Sequence, residues 1–568
     1  MGVQLKTWSV VLALLMSLGS VSAPAEDPAN CRRITIEAYR DKMAAGWVGQ
    51  MVGVGWGAPT EFRHCGVVVP KDQVPVWTPE TVNQFGQDDL YVEMTFLRTL
   101  ELHGLDASIR QAGIDFANSG YRLWHANKAG RENLRSGIAP PDSGHPAFNK
   151  HADDIDYQIE ADFAGLIAPG MPNIGIRLGE VFGRLMNYGD GLYGGQFVAG
   201  MYAEAFFETD PRRLVEAGLA CIPVDSQYAE AIRDVLLWYE AAPDDWESTW
   251  RRIDEKYQRS PAYRRFSCQS KTAFNIDAKI NGAYIAMGLL YGERDIEKTT
   301  VIAMRCGQDS DCNPSNAAGV LFTSMGLGGV PATYTSALDH GTKFSHTEYD
   351  FDALLDVCER LARQAVLQNG GRIEKNNADG EVFVIPVRSP QVTPLEQSWE
   401  PGPAAGSRFT EAEMEHIPSS REAFMAAFAK DVAAFAPGWR VRDCGEDMDP
   451  GIRAQWGNRE GVLVTHPLNE TAPCVLYRTL DVLPGKQTVL RLAVGHHELG
   501  DWDLVVRADD RELLRTSVGP KTVQNGWLEE SVDLGEYAGQ TIALEVRNVA
   551  TGWSYEAGYW DTIEITSR

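Results

Sequence analysis

Two short acidic runs lie more than 200 residues apart, and each sits where a helix should begin. The first is Gln87-Asp88-Asp89, with Glu93 one turn on; the second is Gly307-Gln308-Asp309-Ser310-Asp311-Cys312-Asn313-Pro314. Acids in the first turn of a helix are favoured by its dipole alone, so either run taken singly could be no more than a stable helix start. In the second run Asn313 is expected as the cap and Pro314 near the first helical position. Asp309 and Asp311, two residues apart, can aim both carboxylates into one loop, and hard oxygen ligands of this kind suit Mg²⁺, Mn²⁺ or Ca²⁺. An EF-hand is excluded, because Pro314 stands where that loop needs Gly and Val320 where it needs Glu. A third segment is rich in glycine: Gly46, Gly49, Gly53, Gly55 and Gly57, then Ala58-Pro59-Thr60-Glu61-Phe62. Glycines so spaced permit close backbone approach to a ligand or to a neighbouring helix. No Gly-Lys-Ser/Thr follows, so it is not a phosphate loop. Glu61 is open to two readings, a solvated surface acid or a site acid.

The three segments together carry more than any one. A Gly-x-Gly-Ala-Pro-x-Glu stretch, an Asp-Asp pair about 27 residues on, and a Gly-x-Asp-x-Asp helix start resemble the ADP-ribosylglycohydrolase family over roughly residues 34–340. Ile159-Glu160-Ala161-Asp162-Phe163-Ala164-Gly165 and Asn187-Tyr188-Gly189-Asp190-Gly191 look like the middle motifs of an exported bacterial branch. The resemblance implies an all-α orthogonal bundle with a dinuclear Mg²⁺-type site in a central cleft. It implies Asp88, Asp89, Asp309 and Asp311 as metal ligands, Glu61 as the acid near the scissile bond, and Asp190 as a further cleft candidate. The chain departs from the family pattern where Thr is usual before the first Asp pair (Gln87) and after the second (Cys312), and where an Asp is common (Val54). Gln87 still offers an oxygen; a neutral Cys312 is a poor ligand for a hard ion. The expected site therefore holds one or two ions, with Gln87, Cys312 and Asn313 as possible additional site residues.

The elements that must position these residues divide the chain in two. From about 31 to 365 the pattern is helical: 88–103 places Leu90, Met94 and Leu97 on one face, and 177–185, 195–207, 227–240, 278–291 and 317–325 behave alike. Residues 366–438 read as a connector with a strand-like run at 382–387 and a short helix near 420–435. From 439 to 568, short runs at 475–480, 488–494, 502–508, 512–518, 528–534 and 542–549, separated by turn residues, predict a β-sandwich or jelly roll. Residues 1–25 read as a signal peptide: Lys6, an apolar stretch from 8 to 18 too short for a stable anchor, then Ala23-Pro24-Ala25. A secreted or periplasmic protein is expected, with no membrane anchor after cleavage. Of nine cysteines at least one must stay free, and the spacing assigns no pairs.

With 78 acids against 52 Lys and Arg, the net charge is −26, which repels phosphate backbones and excludes nucleic acid as a natural partner. The reading is an exported metal-dependent hydrolase of glycosidic bonds acting on a carbohydrate or other glycoside. The alternatives are hydrolysis of ADP-ribosyl conjugates or nucleosides, and an inactive secreted glycan-binding protein. Trp502, Trp527, Trp553, Tyr555, Tyr559 and Trp560 could stack on sugars or simply fill the sandwich core.

Overall fold

The computed structural model describes residues 30–376, 380–552 and 555–568; the expected export signal at 1–25 lies outside them. Among the described residues no helix is long and apolar enough to cross a membrane.

The central pair of helices explains the glycine-rich segment. Ile36–Gly57 begins at a Thr35 cap, whose hydroxyl accepts from the Ala38 amide at 3.1 Å, and is buried from Met43 to its end. It runs against Cys312–Met325, also buried almost throughout. A Cβ on Gly46 would strike the Thr323 side chain, one on Gly49 the Ala318 backbone, one on Gly53 the Pro314 carbonyl, and one on Gly57 the Ser310 carbonyl. The glycine numbers rise as the partner numbers fall, so the helices are antiparallel and in backbone contact. Of the two uses for such glycines, packing on a neighbouring helix is the one the structure shows. The consequence for the site is direct: the contact ends with Gly57 beside Ser310 and Asp311, which brings the stretch carrying Glu61 to the second acidic run. Gly53→Ala is expected to force the helices apart at Pro314 and cost about 1–3 kcal/mol, the usual range for overpacking. Urea midpoints compared between variant and parent check this, and an unchanged midpoint would refute the contact.

Around this pair pack Asp88–His103, Asp190–Ala205, Ala278–Gly292 and Phe351–Gln368. Their shared core includes the fully buried Tyr39, Trp47, Tyr202 and Tyr284. The strand-like run expected at 382–387 is the centre of a small antiparallel sheet whose other two strands were not foreseen: Gly380–Pro386 lies between Cys31–Thr35 and Arg372–Asn376, and its Phe383 and Ile385 enter the helical core. The chain then returns over the helices, where the Asp142 carboxylate accepts the amides of Ala405 and Ser407, each at 2.8 Å. The expected connector is thus split. Its first part is tied to the helical unit, while Phe428 and Val432 of the helix Ser420–Phe435, and Ala436 just after it, enter the β core.

The C-terminal region is two five-stranded antiparallel sheets. One has the order Arg511–Val518, Trp502–Ala508, Thr541–Ala550, Cys474–Asp481, Arg440–Arg442; the other Leu528–Asp533, Thr488–His496, Gly558–Ser567, Arg459–Thr465, Gly451–Trp456. All six expected strands are present. Trp502, Trp560, Trp527 and Tyr559 are buried, so core packing is what these aromatics do; Tyr555 is exposed and stacks on His497, and Trp553 lies outside the described residues. All nine cysteines are free thiols, and that of Cys444 donates to the Gly445 carbonyl at 3.4 Å. Because the core of residues 419–568 is its own, this piece expressed alone is expected to melt cooperatively with a β-type circular dichroism spectrum. A disordered spectrum would mean that its core depends on the helical unit.

Candidate active site

The loop 306–311 joins the helix Ile296–Arg305 to Cys312–Met325. Asp311, not Asn313, occupies the cap position, so Pro314 falls in the first turn rather than opening it. The loop is held in an unusual shape. Gly307 and Gln308 are both left-handed, at φ 79° and 59°, and Phe62, facing them, is left-handed at 49°. Non-glycine residues keep such a conformation only where their surroundings over-determine it. Gln308 supplies that constraint: its side chain accepts from the Asn275 amide at 2.9 Å and donates to the Ala273 carbonyl at 2.8 Å, and its own carbonyl accepts from the Phe62 amide at 3.0 Å. The hydroxyls of Thr60 and Ser310 lie 2.7 Å apart. Glu61 and Asp309–Asp311 are thereby locked to one another.

Asp88 and Asp89 enter from the first turn of Asp88–His103. The five carboxylates converge. Glu61 is exposed as a residue, yet its carboxyl is pushed up to about 8, first by burial, then by Asp311 and Asp88. Asp88 is pushed up to about 6 by burial and by Asp311, while backbone amides of its own helix start pull the other way. Asp89 is held well above the usual carboxylate range by burial, then Asp311 and Asp88; Asp309 likewise by burial, then Asp311, Glu61 and Asp89. Asp311 is raised mainly by burial. The leading influences on these five groups are desolvation, other acids and local hydrogen bonds, never a Lys or Arg.

Behind them lies a second layer of buried acids. Glu93 accepts from the Phe163 amide at 2.8 Å, Asp162 accepts from Asn316 at 2.8 and 3.2 Å, and Glu160 accepts from Asn127. Asp162 is pushed up to about 7, chiefly by burial. Sequence reasoning noted 159–165 without giving these acids a role; the signal was a pair of acids inside an otherwise apolar run.

The remaining candidates fall in different places. Gln87 stands at the cap of its helix with its side chain donating to Gln84 at 3.2 Å. The Cys312 thiol donates to Asp89 at 3.1 Å and, raised by burial, stays neutral. Asn313 donates to Asn281 at 2.9 Å, leaving its own carbonyl oxygen without a partner. Asp190 is not among the five: it accepts from the Tyr228 amide at 3.2 Å and lies 3.6 Å from the buried Lys279 ammonium, which also contacts Asp277 at 3.1 Å. A carboxylate committed to a buried cation is not free to reach into the cleft.

The cluster fits a hard cation. Asp89 Oδ2, Asp309 Oδ1 and Asp311 Oδ1 are buried with no hydrogen-bond partner, and the donors of Asp309, Asp311 and Cys312 lie within 4.8 Å of one another. Unpaired buried carboxylates are costly, and a divalent ion among them removes the cost. No curated protein matches the chain. Among solved structures it is similar to an ADP-ribosylglycohydrolase-related protein complex, at 17% identity over 58% of this chain and 99% of that one, with a TM-score of 0.37. Shorter similarities are to a Stig cyclase from Fischerella sp. TAU (16% identity, 24% and 86% covered, TM-score 0.19) and to an adhesin domain of Lys-gingipain from Porphyromonas gingivalis (19%, 23% and 92%, TM-score 0.18). The ADP-ribosylglycohydrolase family itself matches residues 35–370, which hold every carboxylate of the cluster, and the chain belongs to that family, with the glycohydrolase-type function that membership supports.

Proposed function

We propose that this protein is a metal-dependent hydrolase of glycosidic bonds, with Asp88, Asp89, Asp309 and Asp311 holding one or two Mg²⁺-type ions and Glu61 as general acid/base. The observation that carries this reading is the convergence of five carboxylates with three unpartnered buried oxygens and no counter-cation. The bound ion would orient a sugar's vicinal hydroxyls and make a water more acidic. The chain's own residues do the rest. Glu61, the most exposed member, stands where it can take a proton from water or return one to the leaving oxygen as the anomeric bond breaks. Asp89, fixed by the Cys312 thiol and the helix start, keeps its lone pairs turned into the cluster. Asp162 and Glu93 back the site and keep it rigid through Asn316 and the Phe163 amide.

A neutral glycoside suits the site better than an ADP-ribosyl group. A diphosphate is normally met by Arg or Lys forks, and none is prominent among the groups acting on the cluster. Export, read from the N-terminal sequence, points the same way, because ADP-ribosylated proteins are mostly intracellular. The test is a hydrolysis screen against furanosides, pyranosides and ADP-ribosyl substrates, with and without EDTA. Metal-dependent release of sugar from a simple glycoside is expected. Turnover of ADP-ribosyl substrates alone would overturn the substrate assignment, and EDTA-insensitive turnover the metal.

A further inference from the structure

A second group of ligating side chains stands apart from the five carboxylates. His125 opens the helix His125–Arg135, His151 and Asp154 lie in the loop before Asp156–Ile159, and Cys268 lies in the turns after residue 259. One donor atom from each of the four is within 4.8 Å of the other three. Asp154 Oδ2 is the hub, 2.7 Å from His151 Nδ1 and 3.2 Å from His125 Nδ1. Asp154 is fully buried, and its other oxygen, Oδ1, has no partner.

We propose that His125, His151, Asp154 and Cys268 form a second metal site, for Zn²⁺ or a similar borderline divalent ion. Two imidazoles, a carboxylate and a thiolate match the donors that Zn²⁺ prefers and that Mg²⁺ does not. The charges balance: binding expels the thiol proton and any imidazolium proton to solvent, and Cys268 and Asp154 then carry two negative charges against the ion's two positive ones. Donors at about 2.0–2.3 Å from a tetrahedral ion lie about 3.3–3.8 Å apart, so an ion needs the widest pairs, at most 4.8 Å, to close by no more than about 1 Å and the two His–Asp contacts to open slightly. A plain Asp–His ion pair explains the 2.7 Å contact but not the thiol at the same point, nor the unpartnered oxygen. His125 is also held at φ 40°, a conformation rare for a residue with a side chain, with its ring stacked on Phe274 at 5.7 Å. The two histidine side chains keep 25% and 16% exposure, which leaves a way in from solvent.

The site would fasten the cleft wall. Cys268 and Phe274 share a small apolar cluster with Ile155, Ile159, Phe62 and Cys312. An ion joining three chain segments here fixes Phe62, next to Glu61, on one side and Cys312, next to Asp311, on the other. The two sites use different ligands and different ions, so each can fail without the other.

The experiment is a Co²⁺ titration of the chelator-stripped mature chain in excess Mg²⁺, read by thiolate-to-cobalt charge-transfer absorption. One equivalent of Co²⁺ should give the band, and Zn²⁺ should abolish it by displacement. Cys268→Ser should lose the band, His151→Ala should weaken Co²⁺ affinity at least about tenfold, and Asp311→Asn should leave the band intact. A parent protein with no band, or an undiminished band in Cys268→Ser, would overturn the proposal. Should Cys268→Ser fail to fold, His125→Asn serves in its place: full-strength Co²⁺ binding in that variant would also overturn it.

Discussion

Glu61→Gln is expected to lower turnover by about 10²–10⁴-fold while leaving the fold and divalent binding in place. The substitution keeps size and polarity but removes the proton that the acid/base role requires. Glu61 makes no buried hydrogen bond that the amide would break, and it is exposed, so the melting temperature should change little. At the ordinary conversion the rate loss is about 3–5 kcal/mol of barrier, which no general loosening of a stable protein would produce alone. Steady-state rates on whichever glycoside proves to be the substrate, paired with a melt of the same sample, decide the matter. Near-parental kcat would remove Glu61 from the chemistry.

Asp311→Asn should act differently. Asp311 is the leading acidic neighbour of Asp88, Asp89 and Asp309, so it is the centre of the charge that a cation must neutralise. Replacing it is expected to abolish tight Mg²⁺ binding and metal-dependent turnover. In the absence of metal the same change should stabilise the fold, because it removes one of several mutually repelling buried carboxylates. The pH dependence of the stripped protein follows from the same electrostatics. Glu61 and Asp88 are raised in the folded state to about 8 and about 6, against ordinary values of about 4.3 and 3.9. A group whose folded value is raised stabilises fully below its unfolded value and loses that contribution as pH rises through the folded one. The stripped parent should therefore melt progressively lower between about pH 4 and pH 8. The rise in melting temperature on adding Mg²⁺ should grow over the same window, since the ion takes the place of protons. A flat profile would mean that the carboxylates do not share one desolvated site.

Much of this was legible in the sequence because the site residues stand at helix starts. Asp88–Asp89 precedes Leu90, Met94 and Leu97 at helical spacing, and Asp309–Asp311 precedes Pro314 and a run of small and apolar residues, so both the helices and the acids could be placed from local pattern. The six strands between 474 and 550 were readable for the same reason: their apolar residues alternate between turn signals. Other elements were not. Ile36–Gly57 is buried nearly all round, so it has no polar face to reveal a period, and its glycines mark a backbone contact with a helix some 260 residues on. Gly451–Trp456 and Arg440–Arg442 are edge strands whose residues face solvent more than core. Asp190 looked like a cleft acid because glycines flank it; only the fold reveals that Lys279, distant in sequence, already neutralises it. Glu160 and Asp162 stood out as acids in an apolar run, but their place behind the cluster, like the His125–Cys268 group, depends on chain segments that only the bundle brings together.

The central claim is that Asp88, Asp89, Asp309 and Asp311, brought together beside Glu61, hold a hard divalent ion. Calorimetric titration of Mg²⁺ into the EDTA-stripped protein tests it most directly, with Asp311→Asn run beside it. The account predicts saturable binding of one or two ions to the parent and none of that tight binding to the variant. A parent that takes up no Mg²⁺, or a variant that binds it as well as the parent does, would contradict it.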